Sequence, residues 1–443
     1  MKKLNFIIKY GLALLLLSFY SCESWLNVTP SDRLSEEMLF NDREGFVKAL
    51  NGVYIELNTN ELYGRNLTAG ALDVMGQYYS VASSSHAFYN YGGLVYTGND
   101  EKALFDNMWQ KCYAVIACCN TIIEKCDENK AGLSPVWKGS IKGEALALRA
   151  MLHFDMLRLF GPLTSELDKE SIPYQTNSDQ TVTPLLSGSE VIGLILDDLK
   201  NAVGLLKDTD PYFVEEEFSD TDLNYRRFRM NYFAAKGLMA RVQLWGGDKE
   251  KAAITAKEVI AEGQAEGAEF FPFVTNSEAT SSNPDRVFYS EVLFGTYHSS
   301  REKLHEDLFA PTLESTSILT LAGTARRDDL YDNENDYRYS VWSTYNKNGT
   351  SVLYHRKFEK QDNVTASRQY MIPLIRMSEM YLIAEEAVMN APQLDPAPLS
   401  YINTLKRHRG IAELDASTSA DALRTALTRE YICDFKGEGQ LFF

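Results

Sequence analysis

Positive charge is scarce in this sequence of 443 residues: 44 Lys and Arg stand against 61 Asp and Glu, a formal net charge of −17. A protein that grips a nucleic-acid backbone neutralises phosphates with a basic face, so this balance argues against that class. Histidine and cysteine are few, six of each. None of His86, His153, His298, His305, His355 and His408 stands in a local metal-ligand spacing. No metal or cofactor is implied. Cys112, Cys119 and Cys126 recur at a seven-residue interval within one expected helix, which places them about 10 Å apart, too far for a disulfide. Packed thiols are the expectation for them.

Long apolar runs are absent after the first few residues, which argues against a membrane-spanning helical domain. The exception is residues 1–21, where Lys2, Lys3 and Lys9 precede an apolar run from Gly11 to Phe19. This pattern reads as an export signal. Ser21 before Cys22 resembles a bacterial lipoprotein processing box, with Cys22 as the lipid-bearing first residue of the mature chain. Anchorage would then rest on lipid chains alone. Loss of the three lysines makes the remainder more acidic still.

What is present is a chain able to build a large core: 45% apolar and 24% charged residues. The chain divides into a tether over 22–40, a helical region over 41–263 and a loop-rich region over 264–443 packed with it. Asn41 with Glu44 reads as a capping box before a stripe of Phe46, Leu50, Val53 and Leu57. A second helix is expected over 104–125, its face carrying Trp109, Tyr113, Ile116 and Ile123, with Asn120 the polar exception that needs a partner. A third, IKGEALALRAMLHFDMLRLFGP, stops at Gly161 and Pro162. His153 and Asp155 lie two positions apart and share no helix face, so polar pairing with neighbouring helices is favoured over catalysis. Further helices are expected over 189–204, 229–245 and 249–263, with Gly246 and Gly247 turning the last pair.

Between 264 and 370 the character changes. VFYSEVLF at 287–294 is a strand candidate, VWSTYNKNGT at 341–350 combines aromatics with turn residues, and RRDDLYDNENDYRY at 326–339 is dense in charge. Salt-bridge or solvated roles are favoured for that last stretch, because the ligand and glycine pattern of a calcium loop is missing. YMIPLIRMSEMYLIAEEAV then returns to helix, with Pro373 near its start and Met377, Tyr381, Ala384 and Val388 as its buried stripe. Helices over 397–409 and 420–432 follow, Asp395 and Pro396 ending the excursion before them. The fold class expected is mainly α, with tetratricopeptide-like helix pairs, a long loop-rich region and minor β structure.

WQKCYAVIACCNTII at 109–123, KGEALALRAMLHFDMLRLFGP at 142–162, YMIPLIRMSEMYLIAEEA at 370–387 and TREYICDFKGEGQLFF at 428–443, in this order after Cys22, resemble the SusD/RagB family of outer-membrane nutrient-binding lipoproteins. The resemblance implies a noncatalytic, lipid-anchored protein at the outer face of the cell. It would capture a glycan or other nutrient and deliver it to a partner TonB-dependent outer-membrane transporter. It also implies scaffold roles for Arg149, Ala150, Phe154, Asp155, Arg158, Phe160 and Gly161. Relatives often continue beyond the glycine-rich turn at which this sequence stops.

Aromatics make up 12% of the chain, with 25 Tyr and 22 Phe. A tyrosine ring can cover the apolar face of a sugar while its hydroxyl takes a polar partner. The segment QYYSVASSSHAFYNYGGLVY at 77–96 is therefore the leading ligand candidate: Tyr78, Tyr79, Tyr89 and Tyr91 for contact surface, Gln77, His86 and Asn90 for hydroxyl direction. Trp342 and Tyr345 form a second aromatic candidate. Two other readings stay open at this point. Asp73 and His86 would serve a glycoside hydrolase if their geometry were productive, and a noncatalytic transporter-assembly lipoprotein would need no ligand.

Overall fold

The structure, a computed structural model, describes residues 36–443 apart from 82, 180, 268, 332–333, 392 and 394–398. The expected signal, Cys22, most of the tether, Asp395 and Pro396 lie outside these residues.

The first half is built from α1 (Arg43–Leu57), α2 (Asn99–Glu128), α3 (Pro135–Phe160), α4 (Gly188–Thr209), α5 (Tyr232–Trp245) and α6 (Lys249–Gly263). The second half adds α7 (Arg301–Leu308), α8 (Met377–Asn390), α9 (Ser400–Arg407) and α10 (Ala420–Phe435). From α1 to α6 each helix packs on its predecessor in the chain; α8 packs on α6, and α9 and α10 pack on α8. Such serial stacking gives every apolar stripe a neighbour, as a tetratricopeptide-like array requires. Sandwiched between α2 and α4, α3 is buried at nearly every position from Gly139 to Leu157.

The helix ends follow local chemistry. Ser134 caps α3 with Pro135 just inside it, Ser187 and Glu190 form a capping box on α4, and Asn231 caps α5. At α1 the cap is one residue later than the sequence suggests. Asp42, in extended conformation, accepts the Gly45 N–H at 2.8 Å, so Asn41 stays outside the helix and Glu44 sits in its first turn. Gly247, at φ +87°, makes the turn between α5 and α6. Cys112, Cys119 and Cys126 are buried free thiols, and Cys118 is exposed.

Among the described residues, six strands pair two by two. β1 (Glu170–Pro173) pairs with β2 (Leu185–Ser187), β3 (Val292–Tyr297) with β6 (Met371–Arg376), and β4 (Trp342–Lys347) with β5 (Thr350–His355), all antiparallel. Two expectations are corrected here. The strand expected over 287–294 begins only at Val292, because Phe288 is left-handed and Tyr289–Glu291 form a 3₁₀ turn. MIPLIR is a strand, not the start of a helix, and α8 begins after it at Met377. Pro373 is tolerated because it lies opposite Gly295, beside a register shift where the ladder is already interrupted.

A buried ion-pair network closes the C-terminal half. Asp434 binds Arg376 at 2.9 Å and Arg409 at 3.0 Å, and Arg409 also holds Glu291 through two hydrogen bonds of 2.7 and 2.6 Å. Arg338 pairs with Asp336 at 2.8 Å and Glu430 at 2.8 Å. Burial opposes ionisation of Asp434, but Arg376, Arg409 and Arg338 outweigh it and hold its carboxyl well below the usual carboxylate range. The charged stretch 326–339 thus spends Asp336 and Arg338 on structure.

Candidate functional site

The segment 77–96 leaves the buried short helix Ala71–Met75, turns at Gln77 with φ +63°, and ends in the short helix Tyr89–Gly92. It is stitched to residues 318–320: Ser80 N–H donates to the Thr320 carbonyl at 2.7 Å, and His86 Nε2 lies 3.2 Å from the Ile318 carbonyl. Thr320 in turn donates through Oγ1 to Leu353 on β5 at 2.6 Å. Lys347, at the tip of the β4–β5 hairpin, reaches the Thr312 and Leu313 carbonyls at 3.1 and 2.9 Å. Both aromatic candidates of the sequence therefore pack on one strip of chain, 309–320.

The side chains divide sharply. Tyr89 is 43% exposed and Tyr345 44% exposed. Gln77 is exposed and Asn90 half-buried. Gln77 donates Nε2 to the Gly92 carbonyl at 3.1 Å and Asn90 donates Nδ2 to Glu101 at 2.9 Å, which fixes both amides and leaves their carbonyl oxygens without a donor among the described residues. Tyr79, Tyr91 and Trp342 are buried and offer no open ring. Tyr79 packs on Phe309, Tyr91 on Phe88 and Phe105, and Trp342 on His355 with its Nε1–H donated to the Tyr331 hydroxyl at 3.2 Å. His86 accepts the Phe88 N–H on Nδ1 at 3.1 Å, so the proton sits on Nε2 and goes to Ile318. Burial lowers its pKa, and neither nitrogen is left to read a hydroxyl.

Beneath this surface lies a group that sequence reasoning missed. The Lys436 ammonium is buried 5.1 Å from the Tyr78 ring centre and 5.0 Å from that of Tyr79, with no hydrogen-bond partner. Burial pushes it down to about 8, against the attraction of Asp73. Asp73 is itself pushed up by burial, with Lys436 opposing, and accepts the Gly437 N–H at 2.9 Å. No hydrogen bond joins Asp73 to His86, and the carboxylate stands in the interior, not beside an open cleft. The KGEG sequence after α10 was the available signal, legible as a turn but not as the underside of a distant loop. Among the described residues no three His, Cys, Asp or Glu side chains converge as a metal site, and no helix is long and apolar enough to cross a membrane.

The phrase RAMLHFDMLRLFGP is a framework. Arg149 donates Nε and Nη2 to Asp198, each at 2.7 Å, and Nη1 to Asn120 Oδ1 at 2.9 Å. Asn120 completes its set by donating to the Gln175 and Asn177 carbonyls at 3.1 and 2.9 Å. His153 lies between the Arg149 carbonyl and the Gln175 N–H, both at 3.0 Å, stacked on Tyr174. Asp155 accepts the Tyr63 hydroxyl at 2.6 Å and pairs with Arg158, whose guanidinium covers the Phe443 ring at 3.7 Å.

A stacked helical array carrying a loop-built face defines the class of scaffold. The profile described as "Starch-binding associating with outer membrane" matches residues 24–244, and that of the SusD family matches 283–443. The chain belongs to the SusD/RagB family. It is 26% identical over 265 residues to SusD-like protein P2 of Formosa agariphila, covering 58% of this chain and 46% of that protein. SusD-like protein P38 of the same organism is 25% identical over 261 residues, 55% of this chain and 43% of the relative. The chain thus spans about half the length of these curated relatives. Among solved structures, a SusD-like carbohydrate binding protein from Bacteroides vulgatus superposes with a TM-score of 0.70 at 22% identity, covering 90% of this chain and 82% of the other. A SusD superfamily protein from Bacteroides thetaiotaomicron gives 0.70 at 21% identity, with 90% and 88% covered.

Proposed function

We propose that this protein is a noncatalytic capture protein of the cell surface, held by lipid on Cys22. It binds an oligosaccharide or related nutrient on the face made by 77–96 and the β4–β5 hairpin, and passes it to a TonB-dependent outer-membrane transporter. The observation that carries this reading is that two open phenols, Tyr89 and Tyr345, stand on elements tied to the same strip, 309–320. Segments already tied in place lose little backbone freedom when their rings meet a sugar face, and the free amide oxygens of Gln77 and Asn90 can replace water at its hydroxyls. Tyr78, half-buried over Lys436, borders the same surface. Family membership supports the delivery role. The interior position of Asp73 and the committed His86 favour capture over hydrolysis.

Purified protein lacking residues 1–22, screened against plant, host and microbial glycans with reducing ends monitored, is expected to bind without turnover. Combined Tyr89→Ala and Tyr345→Ala substitutions should weaken that binding about tenfold, the worth of one good contact. Release of sugar products abolished by one carboxylate substitution would overturn the reading.

A further inference from the structure

A groove of about 410 Å³ opens between α1, the turn Thr221–Arg229 and the end of β3, sharing no residue with the face above. That volume lies within the range of about 300 to 1,000 Å³ usual for ligand pockets. Its walls are aromatic. Tyr297 stands edge-on to Phe228 at 5.2 Å and to Tyr225 at 6.0 Å between ring centres. Tyr225 is 38% exposed, and Ile55 on the opposite wall is exposed too. The hydroxyls of Tyr225 and Tyr297 have no hydrogen-bond partner among the described residues. Other tyrosine hydroxyls are tied: Tyr54, on the wall of this same groove, to Glu144, Tyr63 to Asp155, and Tyr113 to the Pro173 carbonyl.

The polar lining points to the kind of occupant. Thr296 is 2% exposed and its Oγ1 has no partner, and the same holds for Asn58 Oδ1, a buried acceptor on the α1 side. The charged groups are committed: Arg229 donates to Asn51 Oδ1 at 2.7 Å, lies 3.6 Å from Glu144 and covers the Tyr54 ring, while Asp222 accepts the Ser219 N–H and hydroxyl in the capping box of the short helix Asp220–Asn224. A groove with open phenol faces, unmatched hydroxyl and amide oxygens and no free charge suits a molecule with apolar faces and a neutral hydroxyl rim. We propose that this groove is a second oligosaccharide-binding site, taking an uncharged sugar chain against Tyr225 and Tyr297. Its ligand class rests on the capture reading, but its location and residues do not.

The test measures binding of maltohexaose, cellohexaose, xylohexaose and mannohexaose by titration calorimetry and protein-observed NMR. Three proteins are compared: the unsubstituted chain, Tyr225→Ala with Tyr297→Ala, and Tyr89→Ala with Tyr345→Ala. The groove variant is expected to lose one binding site, or to weaken the bound hexasaccharide about tenfold, with its thermal midpoint unchanged. Should that variant fail to fold, Ile55→Trp fills the groove from an exposed helix position and is expected to give the same loss. Unchanged affinity and stoichiometry in the groove variants, with binding lost on substitution of Tyr89 and Tyr345, would overturn the second site and leave the capture reading standing. Absence of binding by all four sugars would overturn both.

Discussion

Asp198 receives two hydrogen bonds from the Arg149 guanidinium and another from the Tyr174 hydroxyl, all in a nearly water-free junction of α2, α3 and α4. Removing the carboxylate leaves a buried cation with only Asn120 and the Thr176 carbonyl to face. Asp198→Ala is expected to cost about 3 to 5 kcal/mol, the usual penalty for breaking one side of a buried pair, read as a shift in the urea midpoint. His153 in the same junction gives a pH signature. Burial lowers its pKa to about 3, whereas the unfolded imidazole titrates near the ordinary 6.5. Between those values the unfolded chain binds more protons, so the stability supplied by neutral His153 is complete above pH 6.5 and is lost as pH falls. The expected loss from this group is about 2 kcal/mol between pH 6.5 and pH 5. Urea unfolding at the two pH values checks it, and His153→Gln should flatten the slope.

At the scale of elements, β3 and β6 show what pattern reading can and cannot deliver. A Cβ added to Gly295 would lie 2.2 Å from Met371 Sδ and 2.6 Å from the Ile372 carbonyl oxygen. Gly295→Ala is therefore expected to force these two strands apart and to cost about 1 to 3 kcal/mol, as overpacking does, with hydrogen exchange rising at 292–297 and 371–376. Helices of the array with an apolar stripe and a cap were legible: in α1, Phe46, Leu50, Val53 and Leu57 face inward as the spacing requires. β6 was not legible, since every residue from Met371 to Arg376 is buried and a strand buried on both faces carries no period. The hairpin turn at Asn348 and Gly349, both at positive φ, was visible in its residues. Which tyrosines stay open was not. Tyr89 and Tyr91 differ by two positions in one short helix, yet one faces solvent and the other Phe105. Thr296 and Tyr297 sit on a strand whose register the sequence did not specify, and the groove they line had no local signature.

Over the whole molecule, charge is distributed by depth. The surface carries most of the acidic excess of a chain of net charge −17, while the interior holds paired cations at Arg149, Arg226, Arg241, Arg338, Arg376 and Arg409. The contacts of longest reach join residues hundreds of positions apart. Gly437 N–H meets Asp73, Arg158 meets Gln440 at 3.1 Å, and Gly439 lies so close to the Leu67 carbonyl that a Cβ there would come within 2.0 Å of its oxygen.

Because the segment after α10 is clasped by residues before α2 and by α3, the backbone is, in mechanical terms, closer to a ring than to a string. One cut in an exposed connection should then leave nothing free to depart. Brief digestion with a Glu-specific protease at the exposed Glu215–Glu217 turn is expected to yield two fragments on a denaturing gel. The same nicked protein should run as one particle of unchanged size on a native sizing column, and the pieces should part only in urea. Such closure turns a severed chain into a surviving one.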